Sequence, residues 1–164
     1  MNKKIIALIV FFALLGCEKE KQETNRELIY VNEGMSFIFD FPDTVFVNKE
    51  YNGRIIYKNI LDTLTTDLSN HPDSIKNRYI IYSLAKTKDL RNSEKSLKKI
   101  AIDTFGAIDY RTIPLFKIKF TEKGVNFIDG FITDNGYINL YPKDSVRIVT
   151  DEFRVSHKVV VIDK

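Results

Sequence analysis

From residue 28 onward, apolar and polar positions alternate mostly at period two. Phe37, Phe39 and Phe41 are separated by Ile38 and Asp40, the spacing of a strand with one face against a core. Leu28-Ile29-Tyr30-Val31 is a short apolar run ahead of it, and Pro42-Asp43 ends it. Val45-Phe46-Val47 starts the next strand. Tyr51-Asn52-Gly53 reads as a turn before a strand over residues 54–58. Residues 78–84 read as another strand, central in its sheet. Phe116, Ile118 and Phe120 alternate with Lys117 and Lys119, which predicts one dry and one wet face. Lys123-Gly124 turns the chain into Val125, Phe127 and Ile128, and on through Gly130 to Phe131 and Ile132. Asp134-Asn135-Gly136 predicts a hairpin turn, because Asn-Gly suits two successive positive φ angles. Tyr137 to Tyr141 returns, Pro142-Lys143-Asp144 turns again, and strands over 146–149 and 155–162 close the chain. So valine-rich a final strand belongs inside a sheet.

Two segments break this rhythm. Ile60, Leu61, Leu64 and Leu68 share a helical face, whereas Thr63, Thr65 and Thr66 favour strand. Asn70-His71-Pro72-Asp73 is loop, since proline disfavours helix in the residue before it. Asn92 or Ser93 caps a predicted helix with Leu90, Leu97, Ile100, Ala101 and Phe105 along one side. Nine or ten strands at hairpin spacing, with no alternation of strands and helices, predict two packed antiparallel sheets. The run from Lys123-Gly124 through Gly130, followed by a hairpin and an apolar terminal strand, resembles the late strands of immunoglobulin-like modules. The expected fold class is therefore all-β: an antiparallel immunoglobulin-like β-sandwich over residues 28–164, with one short helical insert.

The first 27 residues follow a different pattern. Lys3 and Lys4 precede an unbroken apolar run of eleven residues, Ile5 to Leu15, and Gly16-Cys17 follows. A bilayer-spanning helix needs about twenty apolar residues, so the run is too short to cross. It has the length of a signal-peptide hydrophobic region behind a basic tip. Gly16 supplies the small residue a signal peptidase closes around. The stretch Leu14-Leu15-Gly16-Cys17 resembles the lipobox of bacterial lipoproteins. That resemblance implies cleavage between Gly16 and Cys17 and lipidation of Cys17: a diacylglycerol thioether, palmitate-type acyl chains, and no transmembrane helix in the mature chain. It also implies a cell-envelope location, lipid-anchored in the outer membrane and facing the periplasm or the cell surface. Two or three acyl chains anchor firmly where one holds marginally. Residues 18–27 contain no apolar side chain, so residues 17–27 read as the lipidated cysteine and a solvated linker. The expected organisation is a signal peptide (1–16), that linker (17–27) and the β-domain (28–164).

Composition narrows the chemistry. Cys17 is the one cysteine of the chain, which excludes a disulfide framework and thiolate metal sites. The 25 Lys and Arg include Lys3 and Lys4, so the mature chain is close to balanced against its 22 Asp and Glu. A pI of 8.8 is thus no sign of nucleic acid as a partner.

Candidate chemistry is sparse. His71 and His157 fit no metal-ligand spacing, and Asp73-Ser74 beside His71 reads as turn. Asp129, Asp134, Asn135 and Gly136 lack the alternation of a calcium loop. Lys86, Lys88, Arg91, Lys95, Lys98 and Lys99 form a basic stretch that reads first as a solvated face, and second as a contact for anionic lipid or acidic polysaccharide. Tyr51, Tyr57, Tyr79, Tyr82, Tyr110, Tyr137 and Tyr141 would make a glycan- or protein-contacting surface if several faced solvent. No catalytic residue, cofactor or metal ligand is assigned. The expected function is a membrane-anchored envelope lipoprotein with a non-catalytic binding or structural β-module, its partner an envelope protein or glycan. The alternatives are an envelope hydrolase or metal-dependent enzyme, and an assembly or inhibitory partner that pairs through an edge strand.

Overall fold

The computed structural model describes residues 28–32, 34–66, 68, 76–140 and 145–164. Nine strands among them form two sheets: β1 (Leu28–Asn32), β2 (Met35–Asp40), β3 (Thr44–Phe46), β4 (Glu50–Lys58), β5 (Lys76–Thr87), β6 (Asp103–Gly106), β7 (Thr112–Lys119), β8 (Gly124–Leu140) and β9 (Ser145–Ile162). A 3-10 turn spans Ile60–Thr63, and one helix, α1, spans Glu94–Ile100. The four-stranded sheet has the order β1-β2-β4-β7, and the five-stranded sheet the order β3-β9-β8-β5-β6. All pairings are antiparallel except β3 with β9, which is parallel. The fold is thus all-β and sandwich-like, as the strand spacing predicts.

The core lies between the sheets. Phe37, Phe39 and Phe41 face it from one side with Ile55, Tyr57, Ile113, Leu115 and Ile118. Ile80, Tyr82, Leu84, Ile128, Ile132, Val155 and Val159 face it from the other. β9 lies beside β8 along nearly its whole length and has β3 on its other side only over Val160, Val161 and Ile162, so only its valine-rich end is interior to the sheet as expected.

Three local expectations fail, each to a long-range contact. Asp134-Asn135-Gly136 is not a turn. It lies inside the seventeen-residue β8, paired with Arg78, Tyr79 and Ile80 on β5 and with Val149, Thr150 and Asp151 on β9. Strand neighbours on both sides outweigh a local turn preference worth far less than a row of ladder bonds. The apolar runs expected as separate strands over 146–149 and 155–162 accordingly join into one, β9. Tyr51-Asn52-Gly53 is likewise inside β4. Gly53 is needed there for close approach, since a Cβ would stand 2.6 Å from both the Asp40 carbonyl oxygen and a Phe41 ring carbon. Opposite Asn52, β7 carries one extra residue: Tyr51 pairs with Ile118 but Gly53 with Leu115. That bulge turns Phe116 outward, 55 % exposed, while Ile113, Leu115, Ile118 and Phe120 stay buried. Period two therefore holds on each side of the bulge but not across it.

The helix begins where expected. The Ser93 hydroxyl oxygen caps it by accepting from the Ser96 N–H, 3.3 Å. It ends at Ile100, so Phe105 belongs to β6, and Leu97 alone of its apolar residues is buried. Leu97 packs with Ala85 and Phe131 on the outer face of the five-stranded sheet. Over residues 60–68, one helical turn forms and Leu68 makes an isolated bridge to Arg78.

Candidate functional site

The long strands β5, β8 and β9 form an arm running past the helix to one end of the sandwich. Its inner face is held by a buried polar network. Asn59 caps the 3-10 turn: its Oδ1 accepts from the Leu61 N–H (3.2 Å), and the Asp62 carboxylate accepts from the Asn59 N–H (3.5 Å). The same asparagine donates Nδ2–H to Asp134 Oδ2, 3.0 Å. Arg78 forks onto Asp134 through Nε (2.7 Å) and Nη2 (2.5 Å), and its Nη1 donates to Asp62 (2.7 Å) and to the Thr65 carbonyl (3.1 Å). The side chains of Arg78 and Asp134 are fully buried. Arg111 approaches Asp62 from solvent, 3.5 Å away.

Two guanidinium groups thus face two carboxylates in a closed, neutral network. Burial opposes the charge on Arg78, but hydrogen bonds to Asp134 and Asp62 outweigh it and hold its pKa above the ordinary value. The Tyr57 hydroxyl beside this network is buried without a hydrogen-bond partner among the described residues. Burial first, then the charge of Asp134, push its pKa far above that of an exposed tyrosine. A permanently protonated arginine, a paired carboxylate and a phenol that will not ionise suit fixing the arm in place.

The outer face of the arm is different in kind. Its lower part is covered by α1 and the loop before it. There Arg154 forks onto buried Asp129 (2.8 and 2.5 Å) and donates to the Asn92 and Leu90 carbonyls, 3.1 Å each. Lys98 bridges Glu94 and Glu152 above the Phe131 ring. Beyond the helix this face is uncovered among the described residues. The register puts Tyr79, Asn135 and Thr150 in one row, with Tyr137 and Ile148 in the next but one. Val146 continues the same face, because it is two residues from Ile148. Tyr79 is 46 % exposed, Val146 55 % and Ile148 58 %, and Tyr137 is half-buried. These aromatic and aliphatic side chains share one face at one end of the sheet, in register with Asn135 and Thr150.

The residues singled out from the sequence are scattered. Gly16 and Cys17, the polar segment over 18–27, His71, Asp73, Ser74, the expected turn over 142–144 and Tyr141 lie outside the described residues. Asp129 and Asp134, five apart on one strand, face opposite sides of the sheet, and each is paired with its own arginine. Among the described residues no group of three His, Cys, Asp or Glu side chains is placed to hold a metal.

His157 points inward from β9 with Val155 and Val159, stacked on Phe39 at 4.9 Å. Its Nε2 stands 3.2 Å from Asp43 Oδ1, off the line of a hydrogen bond. Burial lowers its pKa below the usual histidine value, against Asp43 and the carbonyls of Pro42 and Phe41. A shallow cavity of about 420 Å³ beside it is lined by Ile29, Phe39, Asp43 and Val160.

The tyrosine surface is smaller than the composition suggests, because Tyr51, Tyr57 and Tyr82 are in the core. The basic stretch is largely matched by acids: Lys86 by Asp103, Lys88 by Glu122, Arg91 by Asp89 and Lys98 by Glu94 and Glu152. Sequence reasoning missed Val146 and Ile148 as surface residues and Arg78 as the buried counter-charge. Apolar alternation alone does not say which end of a strand outruns its covering layer. Comparison with protein-family models, with curated proteins and with solved structures finds no match to this chain.

Proposed function

We propose that this chain is a lipid-anchored lipoprotein of the bacterial cell envelope, tethered through Cys17, whose β-sandwich is a non-catalytic binding module for another envelope protein. The anchor rests on Leu14-Leu15-Gly16-Cys17 behind a basic tip and an eleven-residue apolar run. The binding role rests on one observation: the exposed face carrying Tyr79, Tyr137, Val146 and Ile148 on an arm held by the buried Arg78–Asp134 pair. Exposed aliphatic side chains beside aromatics suit a protein surface better than a sugar ring, which stacks on aromatic faces alone. Strand order supports an immunoglobulin-like sandwich. β5, β8 and β9 stand as C, F and G do, with β6 beside C, and β2, β4 and β7 stand as A, B and E do.

Pairing through an edge strand is the second reading. β3 and β6 are short edges, and β7 carries Pro114 and the bulge at Lys117, features that discourage strand addition. β3 covers β9 only over Val160, Val161 and Ile162, so among the described residues β9 from Ser145 to Val159 has a strand partner on one side only, and this open edge is the observation that favours strand addition.

Site-specific photocrosslinking in the cells that make the protein tests the binding role. Probes at Tyr79 and Ile148 are expected to capture one and the same envelope protein, and a probe at Lys95 on the helix is not. Equal capture at all three positions, or capture of sugar alone, would refute it.

A further inference from the structure

The direction of β1 places Leu28, the described residue nearest Cys17 in the chain, at one end of the sandwich. β1 is antiparallel to β2, so Leu28, the first described residue, stands at the end where β2 finishes at Asp40 and where Glu50 on β4 pairs with Lys119 on β7. Both sheets contribute to that end. Asn48 N–H donates to the Phe120 carbonyl and Val47 N–H to the Ile162 carbonyl, and a cleft of about 550 Å³ there is walled by Lys86, Lys88, Lys117 and Lys119 together with Glu50, Asp103 and Glu122. Ten residues separate Cys17 from Leu28, so they reach at most about 33 Å.

Charge at this end is not matched. Asp40, Asp103, Glu122 and Asp163 pair with Arg54, Lys86, Lys88 and Lys123, and Asp43 faces His157. Among the described residues, exposed Lys117, Lys119, Lys158 and Lys164 have no carboxylate within 4 Å, and Lys49 lies only over the Phe46 and Tyr51 rings. Among the described residues at this end, Glu50 is the one acid without a cation as close, and it stands across the sheet from Lys119. Lys117 holds a left-handed backbone angle, φ 57°, with its N–H donated to Asn52 Oδ1 at 3.0 Å. Glycine would take that angle without strain. A lysine there places an ammonium at the mouth of the cleft.

We propose that this lysine-bearing end lies on the anionic phospholipid surface in which the protein is anchored, so that the arm with Tyr79 and Ile148 points away from the membrane. The proposal rests on the reading of Cys17 as lipidated. Lysines near an anionic bilayer are attracted over about a Debye length, and salt weakens the attraction.

The test uses the full lipoprotein, purified with its lipid and reconstituted into vesicles of phosphatidylcholine alone or of phosphatidylcholine with phosphatidylglycerol. Amine labelling of each lysine is read by mass spectrometry. Lys117, Lys119 and Lys158 are expected to label about five-fold less on the anionic vesicles and to recover at high salt, while Lys58 at the far end and Lys95 on the helix label equally on both. The double variant Lys117→Gln with Lys119→Gln is expected to weaken protection of Lys158. Equal labelling of these lysines on both vesicle types would overturn the proposal. So would protection that follows protein concentration instead of lipid charge, which would assign this end to a second copy of the chain. A chain that fails to float with either vesicle type would instead refute the anchor itself.

Discussion

Replacing Asp134 by alanine tests whether the buried Arg78–Asp134 pair holds the arm to the sandwich. Both side chains are fully buried. The variant removes two of the four hydrogen bonds made by Arg78 and leaves its guanidinium out of water. Breaking one partner of a buried ion pair costs about 3–5 kcal/mol. Asp62 still accepts from Nη1 and sits near the surface, so the lower end, about 3 kcal/mol, is expected. Arg78→Met should cost a similar amount, because Asp134 then keeps only the Asn59 amide. The double variant Arg78→Met with Asp134→Leu removes both charges, and Asp62 retains Arg111 and solvent. Its cost should be about 1 kcal/mol or less. The double-mutant cycle then gives a coupling of about 5 kcal/mol. Urea unfolding followed by far-UV circular dichroism measures this. With a slope of about 2 kcal/mol per molar, each single variant lowers the midpoint by about 1.5 M. Single variants that each lose under about 1 kcal/mol, or a double variant that loses their sum, would refute the reasoning.

Three further outcomes follow from named contacts. Gly130→Ala would put a Cβ 2.0 Å from the Ser83 carbonyl oxygen, so it should cost about 3 kcal/mol or more in thermal or urea unfolding. Gly106→Ala meets nothing within 4 Å and should change stability by about 0.5 kcal/mol at most. Lys117→Val forces a β-branched residue to φ 57°, which should cost about 1 kcal/mol or more, whereas Lys119→Val should show no such loss in the same melts. His157 has its pKa lowered from 6.5 by burial, so on acidification the unfolded chain takes up its proton first. Stability should therefore fall as pH drops below about 7. His157→Phe should lose that component while keeping a ring against Phe39, and an unchanged pH slope in the variant would contradict it.

Much of the fold is legible because burial and local pattern agree. Phe37, Phe39 and Phe41 alternate as a half-buried strand must, and Ser93 stands where a cap is needed. The failures share one cause. Asp134-Asn135-Gly136 carries a strong turn signal, yet Arg78, far away in sequence, supplies the counter-charge that makes a buried aspartate in mid-strand tolerable. Nothing near Asp134 announces that partner. The bulge that turns Phe116 outward depends on Asn52 across the sheet, and a one-residue shift reverses which side chains are buried. The stripe formed by Tyr79, Tyr137, Val146 and Ile148 needs the register of three strands to assemble, so its members look ordinary one at a time. His157 shows its alternation with Val155 and Val159 in the sequence but not its stacking on Phe39 from the opposite sheet.

Intact-mass analysis of the protein extracted from the membranes of the cells that produce it tests the central claim most directly. The account predicts a chain that begins at Cys17, lacks residues 1–16, and is heavier than its amino acids by a diacylglycerol group and any further acyl chain. A mass matching an intact chain from Met1 with an unmodified thiol would contradict it.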